Sequence, residues 1–156
     1  MRLGVRAAHD PLVIASLAVV DRVLARTTPK GVGYHRYNHD GYGETFWGGP
    51  WRGEGVGRLW PIFAGERGEI EVARGADPAP YLQAMLHLAN PGGMIPEQVW
   101  DRANPGRDFA FGAGTGSATP LVWSMAQFLR LAVDAQERRV VEQPSIVADR
   151  YLRGMR

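Results

Sequence analysis

The chain contains no cysteine among its 156 residues. That removes disulfides, thiolate catalysis and cysteine-ligated zinc together, and it leaves the redox compartment open. It also has no long apolar run. The longest, residues 12–20, is interrupted by Ser16 and falls short of the roughly 20 residues that a membrane helix needs. No basic leader with a small-residue cleavage site precedes it, so the chain as written is expected in the cytoplasm, with no membrane partner. An excess of one charge is missing too: the net charge is +2, and the arginines are scattered among acidic and aromatic residues. A nucleic-acid partner is therefore not expected. His35, His39 and Asp40 suggest a metal, but no further histidine cluster completes a ligand set, and neither metal nor cofactor is expected.

What the chain does have is enough length for one domain with a real core, since compact domains most often run to roughly 100–150 residues. Residues 1–156 are read as a single domain. Its 20 glycines and 11 prolines gather between helical patterns, which implies long shaped loops. Asp10 and Pro11 form a cap-then-proline helix start, and the apolar pattern behind them runs to about Ala25, with Leu12, Leu17, Val20 and Leu24 as its buried stripe. A second helix is predicted from Arg58 or Leu59 to Gly75, with Pro61 acceptable only in its first turn and Gly75 placed to stop it. Asp77 and Pro78 open a third helix that ends at Asn90 and Pro91. Thr119 and Pro120 open a long fourth, with Leu121, Val122, Met125, Phe128, Leu129 and Ala132 on its apolar side, and residues 145–152 suit a short fifth. No alternating run is long enough for a convincing strand, so the fold class is all-α. Helices joined by alternately short and long connections suit an array of hairpins, with the long loops, 26–56 and 91–118, gathered at one rim.

The candidate chemistry lies in those loops. In Gly92-Gly93-Met94-Ile95-Pro96-Glu97-Gln98-Val99-Trp100-Asp101, two glycines free the backbone, Pro96 fixes its own φ and biases Ile95 toward an extended conformation, and the turn presents Glu97 beside Gln98 and Trp100. The plainer alternative is that Pro96 and Glu97 open a short helix, the acid favoured by the helix dipole. Arg36, near Tyr37, Asp40 and Tyr42, offers a planar fork of donors able to bind two oxygens, or else is a surface arginine paired with Asp40 across a turn. Trp60, Trp100 and Trp123 suit a pocket wall, because flat rings stack on the C–H faces of a sugar, but each could equally be core; Trp47 and Trp51 suit an outer subsite. The run Gly112-Ala113-Gly114-Thr115-Gly116 follows no strand and has no lysine, so it reads as a flexible rim rather than a phosphate loop.

Taken with Tyr34-His35-Arg36-Tyr37-Asn38-His39-Asp40-Gly41-Tyr42-Gly43-Glu44 and Gly114-Thr115-Gly116-Ser117-Ala118-Thr119-Pro120-Leu121-Val122-Trp123, the glutamate segment resembles the bacterial glucoamylase and glucodextranase family of glycoside hydrolases. Gly57-Arg58-Leu59-Trp60-Pro61 and Gly65-Glu66-Arg67-Gly68 extend the resemblance from about Val5 to about Arg150. It implies the C-terminal part of a catalytic domain built as a toroid of paired helices, a partial (α/α)6 toroid here. It also implies an inverting hydrolase that releases glucose from non-reducing ends of α-glucans, with Glu97 as general base. Arg36, Tyr37, Asp40, Tyr42, Trp60, Gln98, Trp100 and Trp123 would then bind or surround the sugar.

The family's general acid lies upstream in a Trp-Glu-Glu-like segment that this sequence does not contain. Glu66 is not assigned that role; it is expected to bond buried loop backbone or to pair with Arg58 or Arg67. The expected partners are an α-glucan or oligosaccharide and either a missing N-terminal half or a second copy. The other reading is an inactive remnant that binds carbohydrate or a partner chain. A partial toroid is also expected to expose apolar surface, with Leu17, Val20, Met85 and Met125 as plausible members.

Overall fold

The computed structural model describes residues 1–103 and 108–154; residues 104–107, inside the expected second loop, lie outside the described residues. Five helices, α1 (Pro11–Val23), α2 (Pro61–Ala73), α3 (Ala79–Leu88), α4 (Val122–Glu137) and α5 (Ser145–Tyr151), dominate the chain. Between α1 and α2 the chain makes one antiparallel hairpin of β1 (Ala25–Thr28) and β2 (Gly31–Tyr34), with Ala25 opposite Tyr34 and Thr28 opposite Gly31. The hairpin corrects the strand-free reading. Its strands are only four residues long and carry two glycines, too little for an alternating pattern to show.

Helix starts follow the local chemistry. Asp10 accepts from the Leu12 N–H at 2.8 Å and caps α1, with Pro11 in the first turn. The second helix begins later than Arg58 because the Trp60 N–H donates to the Tyr34 carbonyl at 2.8 Å, which keeps Trp60 extended and leaves Pro61 as the first helical residue. Gly75, at φ 72°, takes the left-handed conformation that follows the end of α2. The fourth helix likewise starts at Val122 rather than Thr119, since the extended Leu121 donates to the Ile95 carbonyl at 2.9 Å.

The core forms where α2 packs against α3 and α4 and where α3 covers β2. Tyr34, Ala64, Met85 and Ile95 are buried at its centre, with Phe63, Tyr81, Met125 and Phe128 packed around them, and Leu59, Leu88 and Val99 form a second cluster under the loops. Met85 is fully buried, which corrects its assignment to an exposed surface. The close approach of α2 and α4 depends on Gly65, where a Cβ would meet Gln127 Cγ at 2.5 Å and Met85 Sδ at 2.7 Å. Gly65→Ala is expected to cost about 1–3 kcal/mol through overpacking, read as a lower urea midpoint at unchanged slope.

One helix leaves its apolar stripe largely uncovered, and another buries only part of its own, Met125 and Phe128 packing on the core. No residue of α1 is buried, and Leu12, Ile14, Val19 and Val23 are exposed, so the stripe read for this helix touches the core only through Val20 and the following Leu24. In α4 the inward residues are Ser124, Gln127, Leu131 and Asp134, while Val122, Trp123, Leu129 and Val133 face solvent. Among the described residues no helix is long and apolar enough to cross a membrane.

Candidate active site

The first arm of the site follows β2. Asp40, its side chain 1% exposed, accepts from Arg36 Nε at 2.7 Å and Nη2 at 2.8 Å, and from the Tyr42 N–H at 2.9 Å. Burial pushes the Asp40 carboxyl up, but the hydrogen bonds from Arg36 and the Tyr42 backbone outweigh it and hold the group below the usual carboxylate range. The pair is thus a bidentate clamp with a buried carboxylate and a partly exposed arginine rather than an exposed surface pair, and it sets the plane of the guanidinium. The rings of Tyr37, Tyr42 and Trp60 lie 5.3, 5.0 and 4.8 Å from that cation. Among the described residues no protein acceptor reaches Arg36 Nη1, which leaves it for a ligand oxygen.

The second arm carries Glu97. Residues 95–100 form no helix: Val99 bridges to both Leu59 and Gly114, and the Glu97 N–H donates to the Ala118 carbonyl at 2.9 Å. The helix-opening alternative is therefore excluded, and the half-buried Glu97 side chain leaves an extended strip. Gln98 is almost wholly buried. Its Oε1 accepts from the Arg58 N–H at 2.7 Å and its Nε2 reaches Glu97 Oε1 at 3.4 Å, so it braces the glutamate and is held from below.

Tyr42 joins the arms. The Glu97 charge, ahead of burial, raises the Tyr42 phenol above its usual range, and the Tyr42 ring flanks the Arg36 cation at 5.0 Å. The two long loops therefore meet at one end of the molecule, and a cleft of about 440 Å³ opens between them. Tyr42, Glu44, Trp51, Glu97, Gln98 and Phe109 line it, a size and mixture suited to a small polar ligand with flat apolar faces. Trp51 sits at this cleft, its ring edge-on to Tyr42 and its indole N–H donating to the Gly41 carbonyl at 3.1 Å.

Other expected positions fall elsewhere. Trp60 lies behind Arg36, nearly buried, as part of the clamp. Trp100 is core: its ring covers the Arg58 guanidinium at 3.9 Å and packs on Phe109, so it supports the floor instead of facing the cleft. Trp123 points to solvent at 69% exposure and lies outside the cleft lining, because α4 turns the neighbouring Ser124 and Gln127 inward instead. Trp47 is exposed against Phe46 and also lies outside the lining. Glu66 is exposed and has neither expected partner: Arg58 pairs with Asp101, and Arg67 with Asp21 and Glu71. His35 contacts the Gly57 carbonyl through Nδ1 at 3.2 Å and lies 3.7 Å from Asp101, and no group of three potential ligands gathers among the described residues.

Sequence reasoning missed the ion pair beneath the floor. Arg58, with no exposed surface, donates to Asp101 Oδ1 at 2.9 Å and to the Thr45 carbonyl at 2.7 Å. An arginine in an apolar run, with its acid 43 residues away, gives no local sign of this. A larger cavity, about 580 Å³, lies near α5, but its lining holds no carboxylate and no Tyr, Trp or Phe ring. The cleft at Glu97 instead brings a carboxylate, a phenol, an amide and aromatic faces into one opening, while Arg36, Tyr37 and Asp40 lie outside its lining, with the Arg36 guanidinium against the Tyr42 ring.

No family model matches the chain. A glucoamylase of Clostridium sp. (strain G0005) is 45% identical over 152 residues, which cover 97% of this chain and 20% of that protein. A crystal structure of a bacterial glucoamylase complexed with acarbose superposes with a TM-score of 0.89 at 45% identity, over 97% of this chain and 21% of the other. A glycosidase structure at 23% identity and TM-score 0.57, covering 88% of this chain and 32% of that one, shares the fold. The helical class and the partial helical toroid agree with these matches, with the hairpin as the added feature. The chain spans about a fifth of the length of the relatives it matches, and over the residues it contains it is similar to bacterial glucoamylases.

Proposed function

We propose that this chain supplies the base side and the sugar clamp of an inverting glucoamylase-type site that releases glucose from non-reducing ends of α-glucans. Glu97 takes the proton from water as that water attacks the anomeric carbon, and Arg36 holds sugar hydroxyls through its free Nη1. The observation that carries this reading is Tyr42, which lines the same cleft as Glu97 and Gln98 while its ring lies 5.0 Å from the Arg36 guanidinium.

The protonating carboxyl group does not come from the other acids nearby. Asp40 is committed to Arg36, while Glu44 has one oxygen bonded to the Gly116 N–H and the other buried. The exposed apolar stripes of α1 and α4 favour further helices, or a second copy, packing on this chain and bringing the acid with them. The same stripes favour the second reading, in which the chain binds carbohydrate or a partner without catalysing.

Acarbose titration followed by tryptophan fluorescence tests the clamp, because Trp51 lies in the cleft. Arg36→Ala is expected to weaken binding by at least about tenfold, the loss of a charged hydrogen bond. Equal affinity in both proteins rejects the clamp. Binding without glucose release from maltotriose separates the second reading from the first.

A further inference from the structure

Glu44 stands at the inner end of the cleft with its residue surface 6% exposed. Its Oε1 accepts from the Gly116 N–H at 2.7 Å, across the cleft from its own loop. Gly116 has no side chain, so its backbone N–H is what an acidic side chain can hold, and a charged acceptor grips it firmly. The residues around Gly116 are also those on which the base is hung. The Glu97 N–H donates to the Ala118 carbonyl at 2.9 Å, the Gln98 N–H to Ser117 Oγ at 3.0 Å, and the Thr115 N–H to the Gln98 carbonyl at 3.1 Å. On its own side Glu44 is anchored through its carbonyl, which accepts from the Val56 N–H at 3.0 Å.

We infer that Glu44 is a positioning residue for Glu97: its bond to Gly116 locks residues 114–118 against the first loop and thereby fixes where the Glu97 carboxylate stands in the cleft. It acts through the backbone it holds rather than on the reacting atoms: Oε1 is taken by the Gly116 N–H, and Oε2 is buried. The inference rests on the proposed role of Glu97 for its meaning in catalysis, but the tie itself is read without sugar.

Amide hydrogen exchange on the 156-residue chain tests it. In Glu44→Ala the amides of Gly116 and Glu97 are expected to exchange about tenfold faster or more, while amides of α2 keep their protection. Glu44→Gln retains a carbonyl acceptor for Gly116 and should restore most of that protection, together with near-native acarbose affinity. If Glu44→Ala does not fold, Glu44→Asp, whose acceptor is one methylene short of Gly116, serves in its place. Unchanged exchange at Gly116 and Glu97 in the variant that folds overturns the inference, as does a Glu44→Gln protein as unprotected as the alanine variant. Failure of the unsubstituted chain to bind acarbose counts against the proposed function alone.

Discussion

Arg58→Met is expected to destabilise the protein by about 3–5 kcal/mol, the cost of removing one partner of a buried ion pair. Burial lowers the Arg58 pKa and Asp101 opposes it, so the cation is retained by the acid at its side. Methionine fills much of the volume under Trp100 but leaves Asp101, its side chain 10% exposed, with only His35 and Arg102 at 3.7 Å, and it releases the Thr45 carbonyl. Pairing it with Asp101→Leu should recover a large part of the loss, since a buried ion pair replaced on both sides is often nearly neutral. Urea midpoints of the two single variants and the double variant measure this. A single variant within about 1 kcal/mol of the parent would show that the floor does not depend on this pair.

Glu97→Gln is expected to lower turnover by about 10²–10⁴-fold while leaving sugar affinity nearly unchanged. The amide is close in size to the carboxylate, but it cannot take a proton from water. Arg36 and Asp40 are untouched by the change, so the clamp persists. The suitable setting is a chimera in which this chain replaces the 152 matched residues of the Clostridium glucoamylase, which supplies the rest of a glucoamylase catalyst. In the isolated chain hydrolysis is expected to be very poor with or without the substitution, because Glu44, the other carboxylate that lines the cleft, is bonded to the Gly116 N–H.

Much of this was legible in the residues, and the exceptions have physical causes. Cap-then-proline pairs announced α1 and α3, and Gly75 announced the end of α2, because these signals act within a turn of the chain. Where long-range backbone bonds compete, local signals mislead: Trp60 and Leu121 are held extended by Tyr34 and Ile95, and both helices start late. Periodicity located the apolar sides of α1 and α4 but could not say that most of the first and half of the second, Val122 and Leu129 against Met125 and Phe128, would face solvent, since the pattern records a stripe and not what covers it. In the site, Arg36, Asp40, Tyr42 and Glu97 stood out in two compact motifs. Arg58, Asp101 and Glu44 did not, because their roles depend on partners 43 and 72 residues distant in sequence. Aromatic type alone also failed to separate a cleft ring such as Trp51 from a floor ring such as Trp100.

The most direct measurement of the central claim is proton NMR of the first glucose released from maltotriose by the chimera. A base on the face opposite the leaving group inverts the anomeric carbon, so the β-anomer should appear first and equilibrate only later, and Glu97→Gln should abolish the signal. Release of the α-anomer first, or an undiminished signal from Glu97→Gln, would contradict the assignment of Glu97 as the base.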